Sequence, residues 1–263
     1  MQKRSWMLVM MSLSLVACGR GTEADSADDA DESATVSSAE SALTAELSDE
    51  AAQPMSATPE ALASSSATRV ANRFKPQGCA VATQSGATVT YVLTNCTGPY
   101  GLVKVSGTLV AVYSRASGGG VNVVITGTGL KANDATIDVN STVVATQANG
   151  VKKAQVTVNG NGTGPRGNTL TRKGTYTITF DTTTECVTVD GTWQTGSSRL
   201  SGSTVVSGYK RCKGACPAAG GTITHTSARN EVVTLTYDGS AVAKWASTNG
   251  RSGTVNLQCG AAP

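Results

Sequence analysis

The 263-residue chain predicts an all-β fold: an antiparallel meander of about a dozen strands, arranged as a sandwich or partly closed barrel and stapled by disulfides. Three observations carry this expectation. Beyond Arg73, β-branched residues alternate with Ser, Thr, Lys and Gln at a period of two, the pattern of half-buried strands. The intervals between these runs hold turn chemistry and are too short for the crossover helices of a parallel sheet. The same region holds six cysteines, an even number.

The elements follow in chain order. In the opening MQKRSWMLVMMSLSLVAC, Lys3 and Arg4 precede an apolar stretch from Trp6 to Val16 and then small residues. This is the layout of an export signal, too short to remain as a membrane-spanning helix. Leu15-Val16-Ala17-Cys18 resembles the lipobox of bacterial lipoprotein precursors, a resemblance confined to the first nineteen residues. It implies that residues 1–17 are a signal peptide cleaved before Cys18, that the Cys18 sulfur carries a diacylglyceryl group, and that the new amino terminus is acylated. Two or more acyl chains hold a protein stably at a bilayer, so Cys18 would be a membrane anchor. Gly19 in place of Asp implies sorting to the outer membrane of a Gram-negative cell, with the body facing the periplasm or the cell surface.

Residues 18–70 are rich in Ala, Ser, Thr, Asp and Glu and contain no aromatic residue. Such a segment buries too little apolar surface to offset its chain entropy, which predicts a disordered tether. Between 19 and 70 stand eleven Asp and Glu against Arg20 and Arg69, a balance of −9. Between 71 and 263, seventeen Lys and Arg face seven Asp and Glu, a balance of +10. The modest net charge of +3 conceals two segments of opposite sign. The opposition either spaces the tether and keeps the body soluble, or marks a basic surface for which the tether competes with an anionic partner.

Residues 71–263 form the β domain. Strands are predicted in ATVTYVLT at 87–94, LVKVSGTLVAVY at 102–113, KKAQVTVN at 152–159, GTYTITF at 174–180 and EVVTLTYD at 231–238. Turns are predicted at Ser85-Gly86, Ser117 to Gly120, Asn149-Gly150, Asp238-Gly239 and Asn249-Gly250. No stretch past the tether reads as a helix, and a composition shift near 182–185 suggests a sub-boundary. A transmembrane barrel needs aromatic girdles, which ten scattered aromatics do not supply.

In an oxidising compartment disulfides are the default for the six domain cysteines. Cys186 and Cys212 are symmetric about position 199, so a hairpin turning there pairs them. Cys79 and Cys96 flank the hairpin at Ser85-Gly86, a few residues out of register. Cys216–Cys259 remains, spanning a four-strand meander; flat strands would hold them roughly 14 Å apart, so the sheet must curl. The alternative is zinc on Cys212, Cys216, His225 and one distant cysteine, which the even count in an exported chain disfavours.

Other motifs carry little. Gly162-Thr-Gly164-Pro-Arg-Gly167 matches G-x-G-x-x-G, but a strand follows it, so it reads as a hairpin loop and not a dinucleotide site. His225 is the only histidine, and no G-x-S-x-G elbow exists for it to serve. Paired carboxylates for glycoside hydrolysis would come from Asp134, Asp138, Asp181, Glu185, Asp190, Glu231 and Asp238, mostly at strand ends and turns. Candidate polymer-binding residues are Lys152, Lys153, Arg172, Lys173, Lys210, Arg211 and Lys213. Stacking aromatics do not interleave with them, which argues against nucleic acid. Trp193 and Trp245 suit either sugar stacking or core anchoring. The body resembles those of small envelope lipoproteins of Gram-negative bacteria in composition. The sequence thus points to a membrane-anchored envelope lipoprotein without cofactor, its β domain binding or structural, with an anionic polysaccharide or another envelope protein as partner. The other reading is a carboxylate-based glycan hydrolase.

Overall fold

The computed structural model describes residues 57–97, 104–117, 119–132, 135–164, 167, 169–181, 183–184, 186–197, 201–212, 215–227 and 229–256. The signal peptide, Cys18 and most of the tether segment lie outside them. A helix, α1 (Pro59–Arg73), precedes thirteen strands. These are β1 (Ala80–Ser85), β2 (Thr88–Thr97), β3 (Lys104–Arg115), β4 (Val121–Ala132), β5 (Ala135–Ala148), β6 (Val151–Thr163) and β7 (Thr169–Asp181). They continue as β8 (Cys186–Ser197), β9 (Ser201–Cys212), β10 (Thr222–Ser227), β11 (Val232–Thr236), β12 (Val242–Ser247) and β13 (Ser252–Asn256). Each strand pairs with the next in one antiparallel sheet, of which β1 and β13 are the two edges. The meander is therefore a single sheet, not closed into a barrel.

The helix corrects the sequence reading, which ran a disordered tether to residue 70 and expected no helix. Thr58 caps α1, its hydroxyl accepting from the Ala61 N–H at 3.2 Å; Pro59 occupies the first turn, and Glu60 adds an acidic group there. Leu62, Ala63, Ser66 and Val70 are buried and share one face. That face is narrow and small, so it hides within an Ala/Ser-rich composition. Its central residue is polar: the Ser66 hydroxyl bonds to Tyr91 Oη on β2 at 2.7 Å and accepts from Tyr113 Oη on β3 at 2.5 Å. Arg115 donates to the Ala57 carbonyl and Gln84 to that of Glu60, pinning the helix start to the sheet.

One sheet buries one face because it curls. Ladder shifts place an extra residue in β2 between Leu93 and Cys96, opposite β3, and in β4 between Gly127 and Lys131, opposite both β3 and β5. Each inserts residues that bend its strand and add twist. Inside the curl, α1 and the inward residues of β1 to β7 form a core that ends at Ile178. A second, smaller core of Val189, Val206, Tyr209, Leu235, Tyr237 and Ala243 follows, and Val187 packs against both. The change of core falls beside 182–185, yet the ladder runs unbroken from β7 into β8.

Turn chemistry is where the sequence placed it at Asn149-Gly150, which joins β5 to β6. Both residues have positive φ, 50° and 77°, as a two-residue turn that follows strand twist requires. Gly162 lies in β6, which pairs with β7 up to Thr163 opposite Thr169, and the Gly167 N–H donates to the Gly164 carbonyl at 3.0 Å beyond it. Two disulfides close strand pairs: Cys186–Cys212 directly across β8 and β9, and Cys79–Cys96 across the β1–β2 hairpin. Cys79 faces Thr94 in backbone register. The irregularity at exposed Thr94 and Asn95 returns Cys96 to the buried face, which explains its offset. Cys216 is disulfide-bonded as well, and Cys259 lies outside the described residues.

In the second core the ring of Tyr237 meets Tyr209 edge-on, centroids 5.2 Å apart, and its buried hydroxyl has no hydrogen-bond partner among the described residues. Desolvation first, then the neighbouring Tyr209, raises its pKa. Tyr237→Phe removes a polar group that folding strips of water, and stability is expected to rise by about 1 kcal/mol. The raised pKa gives the sign at alkaline pH: above about 10 the unfolded tyrosine ionises before the folded one, so stability falls. Urea titrations at pH 7 and pH 11 should show the variant more stable at both, with the larger margin at pH 11. An unchanged or lower midpoint would mean that the hydroxyl has a partner.

Candidate functional site

The basic residues singled out by the sequence do not form one patch. Lys153 and Lys210 are exposed on the outer face in one cross-strand row, separated by Thr179 and Thr188, roughly 14 Å apart. Lys173 shares that face but sits six residues along β7 from Thr179, about 20 Å away. Lys152 and Arg211 lie in the neighbouring row with Phe180 and Val187, half-buried on the inner face. Arg211 Nε also donates to the Ala215 carbonyl at 3.2 Å. Arg172 is 3 % exposed, with its guanidinium carbon 5.2 Å from the Trp193 ring centroid, so its side chain is taken up in packing. Lys213 lies outside the described residues. Consecutive basic residues alternate faces in a strand, which is why runs in sequence scatter in space.

The described carboxylates are occupied. Asp138 accepts from the Gly129 N–H at 2.7 Å and fastens the β4 irregularity. Asp190 does the same for β9, accepting from the Gly208 N–H at 2.6 Å. Asp181 accepts from the Thr183 and Thr184 N–H groups after β7, and these bonds hold its carboxyl below the usual range. Asp238 accepts from Ser240 and pairs with Lys244 at 3.1 Å; the Ser240 bonds and then Lys244 lower its pKa to about 2. Glu231 accepts from Ser247 and Asn249 and pairs with Arg251 at 3.7 Å, tying two hairpin ends together. Asp134 and Glu185 lie outside the described residues. A general acid needs a pKa raised toward the working pH, and Asp181 and Asp238 are moved the other way.

The zinc alternative loses its ligands, because Cys212 is bonded to Cys186 and Cys216 is also in a disulfide. Among the described residues, no three His, Cys, Asp or Glu gather as a metal site.

What does gather is aromatic. Register places Trp193, Thr204, His225, Val233 and Ser247 in one row across β8 to β12. The adjacent inner row holds Val206, Ile223, Leu235, Trp245 and Gly253. A Cβ on Gly253 would stand 2.7 Å from Trp245 Nε1, and one on Gly202 would stand 2.7 Å from His225 Cε1. Both rings therefore lie down across the neighbouring strand, in space that only glycine leaves open. Thr204 Oγ1 bonds His225 Nδ1 at 3.0 Å and fixes that ring, while desolvation lowers its pKa and favours the neutral imidazole. Trp193 and Trp245 pack on the second core and remain partly exposed. Of the two roles that their sequence leaves open, the packing shows core anchoring.

No protein-family model matches the chain, and no curated protein or solved structure matches it.

Proposed function

We propose that the chain is a lipid-anchored outer-membrane protein of the Gram-negative envelope whose β domain binds an anionic envelope polymer without catalysing its turnover. The observation that carries the non-catalytic reading is the engagement of Asp138, Asp181, Asp190, Glu231 and Asp238 in turns, strand irregularities and ion pairs. Binding is supported by the charge division. Divided at Ala57, just before α1, the segment 19–56 still carries −9 and 57–263 still carries +10. The lipobox supports the anchor at Cys18. The basic side chains act as a diffuse field that concentrates an anionic polymer near the body.

Retention of the full chain on immobilised lipopolysaccharide, peptidoglycan and extracellular polysaccharide, at low and high salt, tests this reading. Retention on one of them is expected to fall as salt rises, and to survive each of Asp138→Asn, Asp181→Asn, Asp190→Asn, Glu231→Gln and Asp238→Asn. Absence of retention on all three would overturn the binding reading. Polymer cleavage by the parent chain that one amide variant abolishes would establish the hydrolase instead.

A further inference from the structure

The polymer-binding reading leaves open where a polymer is held, and the diffuse basic residues do not say. The inner face of the second half does. A pyranose ring has an apolar C–H face and a rim of hydroxyls, and it is recognised by a flat aromatic surface with hydrogen-bonding groups beside it. Trp245 lies flat against Gly253 and His225 against Gly202, and partly exposed Trp193 stands in the same row as His225. Thr204 sits between Trp193 and His225 and holds the imidazole in place.

The spacing favours a chain over a single sugar. Trp193 on β8 and His225 on β10 are two strand spacings apart, roughly 10 Å. Trp245 on β12 lies two strands further and one row over, so the three rings cross the strands as a line of roughly 20 Å. Along this line Arg172 is buried against Trp193, and Glu231 and Arg251, both partly exposed, pair with each other at the hairpin end. We propose that this face seats an unbranched glycan strand of the cell wall, its pyranose rings stacking on Trp193, His225 and Trp245. Reach supports the cell wall as the source. The 38 residues between Cys18 and Ala57 span up to about 130 Å when extended, enough for a body anchored at the outer membrane to meet the wall. The inference rests on the polymer-binding reading and deepens it by naming the polymer and its seat.

Two of the chain's three tryptophans are on this face, so their emission reports its occupancy. The full chain in detergent is titrated with soluble glycan strands released from peptidoglycan by an amidase, at low and at high salt. Saturable quenching is expected. Trp245→Leu, which keeps apolar volume but loses the ring, should weaken binding at least about tenfold, and Trp245→Phe should restore most of it. His225→Ala should weaken it by a smaller factor. Both factors should be the same at low and high salt, because stacking is not screened. Equal thermal midpoints for Trp245→Leu and the parent chain show that the loss is not unfolding. If glycan strands bind the parent and Trp245→Leu alike, the seat is wrong while the polymer reading stands. If they do not quench emission at all while lipopolysaccharide still retains the chain, the glycan assignment is overturned. Emission that depends on protein concentration and ignores glycan would give the face to a second copy of the chain and equally overturn it.

Discussion

A chain that begins at residue 71 is expected to lose its cooperative unfolding transition, whereas one that begins at residue 57 keeps it. The difference is the helix. Removing it strips Leu62 and Val70 from the first core, each worth roughly 1.5–3 kcal/mol of burial. It also removes the Ser66 hydroxyl from Tyr91 and Tyr113, at about 0.5–1.5 kcal/mol for each hydrogen bond lost. Water would then reach Val89, Leu109 and Ala111 on the strands beneath. These terms together approach the roughly 5–15 kcal/mol that holds a whole domain, so the shorter chain should bind a hydrophobic dye and unfold gradually in urea. Equal urea midpoints for the two chains would mean that the helix decorates the sheet without supporting it.

That boundary marks how far the sequence could be read. Period-two alternation gave the antiparallel meander because each strand has one wet and one dry face, and the signal is independent of where the strand pairs. The helix escaped because its buried face is Leu62, Ala63, Ser66 and Val70, a stripe whose apolar weight is diluted by small residues. The local signal was nevertheless present: Thr58-Pro59-Glu60 is a cap, a first-turn proline and an acidic first turn in succession. Capping chemistry, and not hydrophobic periodicity, was the reading that could have found it.

The candidate site was legible as residue types and illegible as an arrangement, because arrangement depends on register. Asn149-Gly150 makes a two-residue turn, so Ala148 meets Val151 as the dipeptide alone suggests. Asn249-Gly250 does not: the loop holds Thr248, Asn249 and Gly250, with Gly250 at φ 84°. A two-residue turn there would set Trp245 against Thr254; the longer loop sets it against Gly253, where the ring can lie down. One residue of loop length decides whether a flat aromatic surface exists. The basic candidates scatter in space for a related reason, since adjacency along a strand places side chains on opposite faces.

The second large effect is expected at Cys186–Cys212. Among the described residues the second core has six buried hydrophobic side chains, against a first core that draws on the helix and seven strands. A core of that size stabilises little on its own, and small cores usually need covalent support. The disulfide joins residues 26 apart, and closing a loop of that length stabilises by about 3.5 kcal/mol in the chain-entropy account. It sits at the junction between the two cores, where the partly buried Val187 touches both. Replacing both cysteines with alanine should therefore separate the unfolding of the two halves. The emission of Trp193 and Trp245, which reports the second core, should change at lower urea than far-ultraviolet circular dichroism, which is dominated by the longer strands of the first. In the parent chain the two probes should coincide. Because the proposed glycan seat is built on β8 to β12, the same replacement should weaken glycan binding before any loss of overall β structure. Coincident transitions in the variant would mean that the continuous β7–β8 ladder alone couples the two cores.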